Sequence, residues 1–163
     1  MGEGQPGWKP EKNGMKIWVD ADATPKDVKR ILFKGAVREE TPLTLVANVP
    51  LSCPDSPYLS SHVVGEGFNV ADDWIADNVE PGDLVITADI PLAARVVEKG
   101  GAALNPRGTL YTDANIAGIL ATRNLMDDLR GASLIEGGGP PPYTKKDVQK
   151  FASAFNAYMV SAR

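Results

Sequence analysis

The sequence predicts an α/β fold, a three-layer sandwich in which helices cover both faces of a mainly parallel β-sheet. Short apolar strands alternate with helical patterns along the chain, which is the order that parallel strands joined by crossover helices require. Two of these strands, IWV and LVIT, are almost wholly apolar, as expected where both faces of a sheet are covered. The chain has 163 residues, 43% of them hydrophobic and 23% charged, which suits one globular domain.

The first residues of the chain do not look like part of this fold. Residues 1–14 contain four glycines and two prolines and show no apolar periodicity. We interpret them as a disordered leader or a remnant of cloning, because they also lack the apolar core of a secretory signal. The fold is predicted to begin at Met15, so that a single domain spans residues 15–163. No apolar run of about 18 residues occurs, and no membrane span is expected.

The first strand and the first helix are marked by their apolar residues. Met15–Asp20 (MKIWVD) predicts a strand, and Pro25 suits the first turn of the helix after it. Lysines and arginines separate the apolar residues of this helix, which recur at helical spacing as Val28, Ile31, Leu32 and Ala36.

The middle of the chain continues the alternation. Leu43–Asn48 predicts the second strand, and the prolines within residues 50–60 predict a loop before a short strand at His62–Val64. A helix is expected over residues 70–80. Asp83–Thr87 (DLVIT) then predicts the third clear strand.

The last part of the chain is predicted to be mainly helical. A helix runs from Pro91 to about Lys99, a strand is expected at Ala102–Leu104, and Thr112–Arg130 carries the apolar spacing of a long helix. Gly137–Pro142 (GGGPPP) predicts a flexible connector. Thr144 is the expected N-cap of the final helix.

Charge and composition exclude several classes of protein. The net charge of −4 argues against a generally basic protein that coats nucleic acid, although it leaves room for a local basic groove. Cys53 is the only cysteine and His62 the only histidine. We therefore expect no disulfide framework, no disulfide-linked partner, no Cys/His zinc site and a cytoplasmic location. His62 is interpreted as a surface or hydrogen-bonded residue rather than a catalytic one.

Carboxylates follow two of the predicted strands. Asp20 and Asp22 come at the end of the first strand, and Asp89 follows the third. The carboxyl ends of parallel strands meet at one edge of the sheet, where ligands bind in such folds. Clustered carboxylates repel one another unless they share a proton or a cation, and oxygen-rich clusters suit Mg²⁺ or Mn²⁺. We therefore expect these aspartates to form a catalytic divalent-cation site.

The helix predicted over residues 70–80 adds another acid. Asp72 borders the apolar face of this helix and lies in its first turn, so we expect it to point toward the sheet edge. Asp73 belongs to the opposite stripe, which faces solvent. The alternative is that Asp72 or Asp73 only caps the helix, just as a single aspartate after a strand is often only a turn former.

Amide and basic side chains are expected to bind the substrate. Asn48 ends the second strand and so reaches the same sheet edge. Arg107 lies in a turn-like segment, where it either holds a phosphate through two nitrogens or is a solvated turn residue. Lys26 and Lys29 begin the first helix close to the aspartates, and they either contact phosphate or form a charged helix face.

Six segments of the chain form a recognisable pattern: IWVDADATP, LTLVAN, GFNVADDWI, GDLVITADIPLA, ALNPRGTLYT and GGPPP. They resemble the YaiI/YqxD family of bacterial proteins, from Met15 to about Tyr158. That family is uncharacterised in function and is grouped with PIN-like domains. The resemblance implies a PIN-like α/β sandwich whose clustered aspartates bind a divalent metal for RNA cleavage. It matches Asp20 and Asp22 to the acids of the first strand, Asp72 to the mid-chain acid and Asp89, preceded by Thr87, to the acid of the third strand.

The chain departs from the family pattern at three positions. Thr24 stands where the family usually has cysteine, so a cysteine nucleophile is not expected here. Asn69 stands where aspartate is frequent, and Asp73 where asparagine is common. These two changes leave the roles of the helix acids open.

Three functions follow from these residues. The first is a metal-dependent phosphodiesterase or nuclease acting on RNA or a small nucleotide. In it, Mg²⁺ or Mn²⁺ activates water and stabilises charge on the leaving oxygen. Another is a non-catalytic module that binds RNA or protein and retains a degenerate site.

The remaining alternative is a phosphatase of the haloacid-dehalogenase type. Asp20-x-Asp22-x-Thr24 looks like the first motif of that superfamily, with Asp20 as nucleophile and Asp22 as general acid, and Thr87 looks like its second motif. Against this, such a phosphatase also needs a lysine and then an acid pair at the end of a further strand, and none of the acids after Lys99 follows a predicted strand. Thr24 and Thr87 complete the predicted substrate-binding residues.

Overall fold

The computed structural model describes residues 14–137 and 141–163. Apart from Gly14, the predicted leader lies outside the described residues, and so does the centre of the Gly137–Pro142 connector. The described strands are β1 (Ile17–Asp20), β2 (Leu43–Ala47), β3 (Leu59–Val63), β4 (Leu84–Ile86), β5 (Ala102–Leu104) and β6 (Leu110–Tyr111). The described α-helices are α1 (Lys26–Arg38), α2 (Val70–Asn78), α3 (Ile90–Glu98), α4 (Ile116–Gly131) and α5 (Lys145–Ser161). A short 3₁₀ turn, Ala21–Ala23, follows β1.

The strands form a sheet in the order β3-β2-β1-β4-β5-β6. All neighbouring strands run parallel except β6, which is antiparallel to β5. This confirms the prediction of a mainly parallel sheet. The order reverses between β1 and β4, because the chain builds outward from β1 to β3 and then returns to the other side of β1. In such sheets a ligand crevice lies outside the carboxyl ends of the strands at the reversal.

Helices cover both faces of the sheet, which confirms the three-layer sandwich. On one face, α1 and α5 pack on the sheet through buried side chains that include Leu32, Phe151 and Phe155. On the other face, α2 and α3 pack on it through side chains that include Ile75 and Val96. Each fully buried Leu, Ile or Phe side chain contributes about 1.5–3 kcal/mol to folding. None of the helices in the described residues is both long enough and apolar enough to cross a membrane.

The start of α5 confirms the predicted cap. The Thr144 hydroxyl accepts a hydrogen bond from the Asp147 backbone N–H at 3.3 Å, and the Asp147 carboxylate accepts one from the Thr144 N–H at 2.9 Å. This reciprocal pair satisfies two donors that the helix itself leaves free. Helix α4 begins at Ile116 rather than at Thr112, because the Asn115 side chain accepts from the Thr112 N–H at 2.9 Å and holds a turn there.

Helix α2 is shorter than predicted and ends at Asn78 instead of residue 80. The reason lies in the proline that follows. Glu80 precedes Pro81, whose ring disfavours helical backbone in the residue before it. Val79 is already extended, with φ −66° and ψ 143°.

Strand β3 differs from the prediction in length and start. It begins at Leu59, inside the stretch predicted as a loop, and it pairs with β2 at five consecutive positions from Leu43↔Leu59 to Ala47↔Val63. Within β3 only Leu59 is buried. The predicted short strand at His62–Val64 overlaps the end of β3, but apolar periodicity could not reveal the start of β3, and main-chain pairing with β2 decides its extent.

Candidate functional site

A cleft of about 280 Å³ opens at the carboxyl edge of the sheet, where the strand order reverses. Its lining includes all four aspartates that the sequence singled out, namely Asp20, Asp22, Asp72 and Asp89. They come from three places in the chain: the end of β1, the first turn of α2 and the loop between β4 and α3. The tertiary structure therefore gathers the predicted acids at one cleft.

Asp20 is the most enclosed of these carboxylates. It is the last residue of β1 and only 7% exposed. Burial raises the pKa of Asp20 above its ordinary value, and the negative charges of Asp89 and Asp22 raise it further. A hydrogen bond from the Thr87 hydroxyl to Asp20 Oδ2, at 3.0 Å, opposes this shift. Ionisation of Asp20 in this position therefore costs free energy, and the hydrogen bond from Thr87 offsets part of that cost.

Thr87 and Thr24 are both buried and both contact Asp20. The Thr87 hydroxyl donates to the Asp20 carboxylate and accepts from the Asp89 backbone N–H at 3.0 Å, so it joins two of the aspartates. The Thr24 hydroxyl donates to the Asp20 backbone carbonyl at 2.8 Å. In this structure the two threonines position Asp20 and Asp89 and do not line the cleft.

Asp89 is the N-cap residue of helix α3, and a second aspartate, Asp72, lies beside it. Asp89 Oδ1 accepts from the Leu92 backbone N–H at 2.8 Å, which caps the helix and fixes the carboxyl group. The Asp72 carboxyl is hydrogen-bonded to that of Asp89. Two carboxyl groups so close hold a proton between them more readily than two negative charges.

The pKa of Asp72 is raised to about 7. Burial is the largest cause, followed by the charges of Asp89 and Asp20, the hydrogen bond with Asp89 and the charge of Asp73. Near neutral pH, Asp72 is therefore present in both its protonated and its ionised form. Asp73 itself is exposed and pairs with Arg95 at 2.7 Å, so it points away from the carboxylate cluster, as the helix pattern predicted.

Asp22 and Asn48 occupy the outer part of the cleft. Asp22 is exposed, and its Oδ2 receives a long hydrogen bond of 3.4 Å from the Asn48 backbone N–H. The Asn48 side-chain amide donates to the Gly65 carbonyl at 2.9 Å, which ties the end of β2 to the loop before α2. Asn48 thus reaches the predicted sheet edge.

The donor set fits a hard divalent cation, but it is not a preformed cage. Among residues 14–137 and 141–163, no group of three or more His, Cys, Asp or Glu side chains is close enough to hold a metal ion by itself. Mg²⁺ commonly uses only one or two carboxylates and fills its remaining positions with water and substrate phosphate. The carboxylate chemistry of the cleft matches that mode of binding and not an all-protein site.

The structure also brings residues to the site that the sequence did not indicate. A second cavity, of about 200 Å³, shares Phe68, Asn69, Asp72 and Asp89 with the cleft and continues toward α3 and α4. Its further lining includes the side chains of Arg95 and Arg123. The one sequence signal for Phe68 is an aromatic residue in a Gly-rich loop. Nothing in the sequence places Arg123, because the approach of α4 to α3 is tertiary.

Arg107 is not brought to the carboxylate cleft. It lines a separate cavity of about 400 Å³ together with Tyr111 and Tyr143. Its guanidinium pairs with Asp147 at 3.0 Å, donates to the Pro141 carbonyl and lies 5.4 Å from the centre of the Tyr143 ring. Arg107 therefore ties the turn before β6 to the start of α5.

The remaining residues considered from the sequence lie apart from the acids. Lys26 and Lys29 are not among the described lining residues of the cleft. His62 is exposed and stacks on Trp74 with the ring centres 4.2 Å apart. Cys53 is a free thiol.

The chain is similar over most of its length to a group of bacterial proteins. A family model described as "Uncharacterized BCR, YaiI/YqxD family" matches residues 18–161. The UPF0178 protein GSU0171 of Geobacter sulfurreducens is 52% identical over 145 residues, which are 89% of this chain and 96% of the relative. A UPF0178 protein of Maridesulfovibrio salexigens is 54% identical over 145 residues, with 89% of this chain and 95% of the relative covered. No solved structure matches the chain.

The matched residues contain the whole carboxylate cluster and both arginines of the adjoining cavity. The names of these two relatives state no reaction and no ligand. On the extent of the family match and the identity to these relatives, the chain belongs to the uncharacterised YaiI/YqxD family, whose members here carry the name UPF0178.

Proposed function

We propose that the carboxylate cleft hydrolyses a phosphodiester with the help of Mg²⁺ or Mn²⁺, and that RNA or a nucleotide is the substrate. The observation that carries this proposal is the convergence of Asp20, Asp22, Asp72 and Asp89 in one cleft at the reversal of strand order. Burial and the neighbouring carboxylates raise the pKa of Asp20 and of Asp72, so the charged cluster costs stability unless a cation offsets the repulsion.

The aspartates are assigned different parts in the reaction. Asp20 and Asp89, held by the same Thr87 hydroxyl, would bind the cation, and Asp22 at the outer edge would hold its water. When bound, the cation makes water more acidic and offsets charge on the phosphate. Asp72, predicted as a ligand too, has a pKa of about 7, which suits a group that accepts a proton from the attacking water at neutral pH.

Positive charge for the phosphate comes from the adjoining cavity. Arg95 pairs with Asp73 at 2.7 Å, and Arg123 pairs with Asp127 at 3.3 Å. All four side chains are substantially exposed, so these pairs add little to stability and can be exchanged for a phosphate. A guanidinium binds phosphate with two parallel hydrogen bonds, which is stronger than a surface ion pair.

A phosphatase that uses Asp20 as nucleophile is the second candidate. The hydrogen bond from Thr87 to Asp20 supports it, because those two residues look like the first and second motifs of haloacid-dehalogenase phosphatases. The end of β5 weighs against it, since Asn105 follows that strand where an acid pair is needed. Trapping a phosphorylated Asp20 would favour this reaction over direct attack by water.

Cation binding is the first test of the main proposal. Mg²⁺ and Mn²⁺ are titrated by calorimetry into the wild-type protein and into Asp20→Asn and Asp89→Asn. We expect wild-type binding and a loss of affinity of at least the roughly 10–100-fold that follows removal of even an outer partner of a metal ligand. Asp77→Asn is the matched control, because Asp77 is an exposed acid of α2 that does not line the cleft.

Turnover is measured in the same preparations with bis(p-nitrophenyl) phosphate as a generic phosphodiester and with a short RNA. Hydrolysis that requires the cation and is lost in Asp20→Asn supports the proposal. Equal cation binding by the wild type and Asp20→Asn would contradict it. Salt-dependent RNA affinity without turnover would instead favour a non-catalytic RNA-binding module.

A further inference from the structure

Phe68 is presented to solvent at the mouth of the carboxylate cleft. Its side chain is 93% exposed, and it lines both the cleft and the adjoining cavity. A single exposed apolar residue needs no explanation on an ordinary surface, but Phe68 lines both cavities together with Asn69, Asp72 and Asp89. Gly67 and Asn69 on either side have φ values of +131° and +64°, so the backbone that presents Phe68 is in a conformation most residues avoid.

The cavity beside Phe68 contains the arginines of the site. Arg95 from α3 and Arg123 from α4 line this cavity and not the cleft. Asp72 and Asp89 line both spaces, and Asp20 and Asp22 line the cleft. The exposed ion pairs of these arginines leave their guanidinium groups able to turn toward a ligand. An aromatic face, two guanidinium groups and a carboxylate cluster are thus contiguous.

We propose that Phe68, Arg95 and Arg123 form a subsite for a nucleotide whose base is unstacked: the base lies on the Phe68 ring and its phosphate lies against the two arginines. The inference deepens the proposed function, on which it rests, by naming the class of substrate. Stacking on an aromatic ring is available to every base, and a basic groove beside it follows the phosphates. A phosphate ester that has no base would contact the two arginines but would leave the Phe68 ring unused.

Stacking on Phe68 requires a base that has one face free of other stacked bases. In a duplex both faces of a base are covered, so Phe68 cannot contact one without unstacking it. A free mononucleotide and a single-stranded end offer the same base and phosphate chemistry. The experiment must therefore include both sources.

The test measures equilibrium binding by fluorescence anisotropy, in EDTA and again in Mg²⁺. The labelled probe is a single strand of about six nucleotides, within the range of known single-strand site sizes. Competitors are the unlabelled strand, its duplex, an abasic strand of the same length and a 5′-mononucleotide. We expect the single strand to compete about tenfold better than the abasic strand, because one stacked base contributes roughly that much. Competition by the mononucleotide as strong as by the strand identifies a small nucleotide as the ligand.

Variants distinguish stacking of a base on Phe68 from non-specific binding to exposed apolar side chains. Phe68→Ala is expected to lower affinity about tenfold, and Phe68→Trp to restore it, since tryptophan keeps an aromatic face. Leu134→Ala is the control, because Leu134 is 70% exposed but lines neither cavity. If Leu134→Ala lowers the affinity as much as Phe68→Ala does, the proposed stacking of a base on Phe68, which we call the base subsite, is overturned.

The arginines have a matched pair on one helix. Arg123 and Arg130 both lie on α4 and both pair with Asp127, but only Arg123 lines the cavity. Arg123→Ala should weaken binding of every strand and reduce the slope of log affinity against log salt concentration by about one. Arg130→Ala should change neither quantity.

The outcomes distinguish this inference from the proposed function. If the abasic strand binds as well as the normal strand and Phe68→Ala changes nothing, the base subsite is refuted, even where Mg²⁺ binding and hydrolysis persist. If binding depends on Phe68 and Arg123 but Asp20→Asn leaves cation binding unchanged, the hydrolytic proposal fails and the base subsite stands.

Discussion

At the scale of single residues, the site depends on how three carboxyl groups share charge. The Thr87 hydroxyl donates to the Asp20 carboxylate and accepts from the Asp89 backbone N–H, and the Asp72 carboxyl is hydrogen-bonded to that of Asp89. Burial, together with the negative charges of Asp89 and Asp20, raises the pKa of Asp72 to about 7, so protonation of Asp72 relieves the repulsion within the cluster. The proposed divalent cation would compete with this proton for the same oxygens.

The raised pKa of Asp72 predicts how folding stability depends on pH. The folded-state pKa of Asp72, about 7, exceeds its unfolded value of 3.8. Its contribution to stability is therefore full below about pH 4 and is lost as the pH rises through about 7. We expect Asp72→Asn to flatten this decline and to be more stable than the wild type at pH 8, by the roughly 0.5–2 kcal/mol typical of single stabilising substitutions.

Urea unfolding from pH 4 to pH 8, without divalent cations, measures the effect. The quantity compared is the difference in free energy of unfolding between Asp72→Asn and the wild type, which should grow with pH. Asp77→Asn controls for the loss of one exposed acid from the same helix. A difference that stays constant across this range would contradict the raised pKa.

At the scale of elements, the helices on one face of the sheet are set by a close contact between α1 and α5. A Cβ atom added to Gly35 of α1 would overlap the Phe155 ring of α5. Phe155 is fully buried and stacks with Phe151, with the ring centres 5.7 Å apart. The helix accepts a glycine in its interior, where alanine is favoured, because only glycine leaves room for this ring.

The contact predicts opposite effects for the same substitution on two helices. Gly35→Ala gains helix propensity of about 1 kcal/mol but overpacks the core, which costs about 1–3 kcal/mol, so we expect a net loss of stability. Gly118→Ala on α4 meets no atom within 4 Å and should stabilise by about 0.5–1 kcal/mol. Thermal unfolding of both variants provides the comparison, and a stabilised Gly35→Ala would refute the close packing.

At the scale of the whole molecule, the fold brings an acidic part of the chain against a basic part. The sequence from Glu66 to Ala94 holds seven acidic residues and no lysine or arginine. From Leu120 onward the chain holds six basic and four acidic residues, and it supplies Arg123 to the cavity beside the carboxylates. The net charge of −4 therefore hides a local separation of charge around the cleft.

The proposed cation should then stabilise the whole fold. A ligand that binds only the folded state at about 100 times its Kd adds about 2.7 kcal/mol to the free energy of unfolding. For a chain of this size, that corresponds to a rise in Tm of roughly 5–10 °C. We expect this rise with MgCl₂ and its reversal by EDTA in the wild type and in Asp77→Asn.

Asp20→Asn should lose most of this stabilisation. Sodium chloride at equal ionic strength is the second control, because it screens repulsion among the aspartates without binding a specific site. If it raises Tm as much as MgCl₂ does, the effect is screening and the cation site is refuted.

The elements that bury apolar side chains could be predicted from the sequence. The first strand, the strand Asp83–Thr87 and the helix around Ile31 and Leu32 carry their periodicity in the residues themselves, so their type and approximate position follow. The sequence predicts a short strand at His62–Val64, which overlaps the end of β3, but not its start at Leu59, because four of the five side chains of β3 are exposed and pairing with β2 sets its extent. Helix α2 ends at Asn78, two residues before the predicted end, because Glu80 precedes Pro81 and Val79 is already extended.

The sequence by itself determined the fold class and which acids follow the ends of strands, because the alternation of apolar strands and helices is a local pattern that implies a mainly parallel sheet. It also placed Asp72 on the correct side of its helix, since helical spacing fixes the face. Only the tertiary structure decided the strand order that creates the crevice, the hydrogen bond between Asp72 and Asp89, and the positions of Phe68 and Arg123 beside them. These depend on contacts between residues far apart in the chain, which no local pattern encodes.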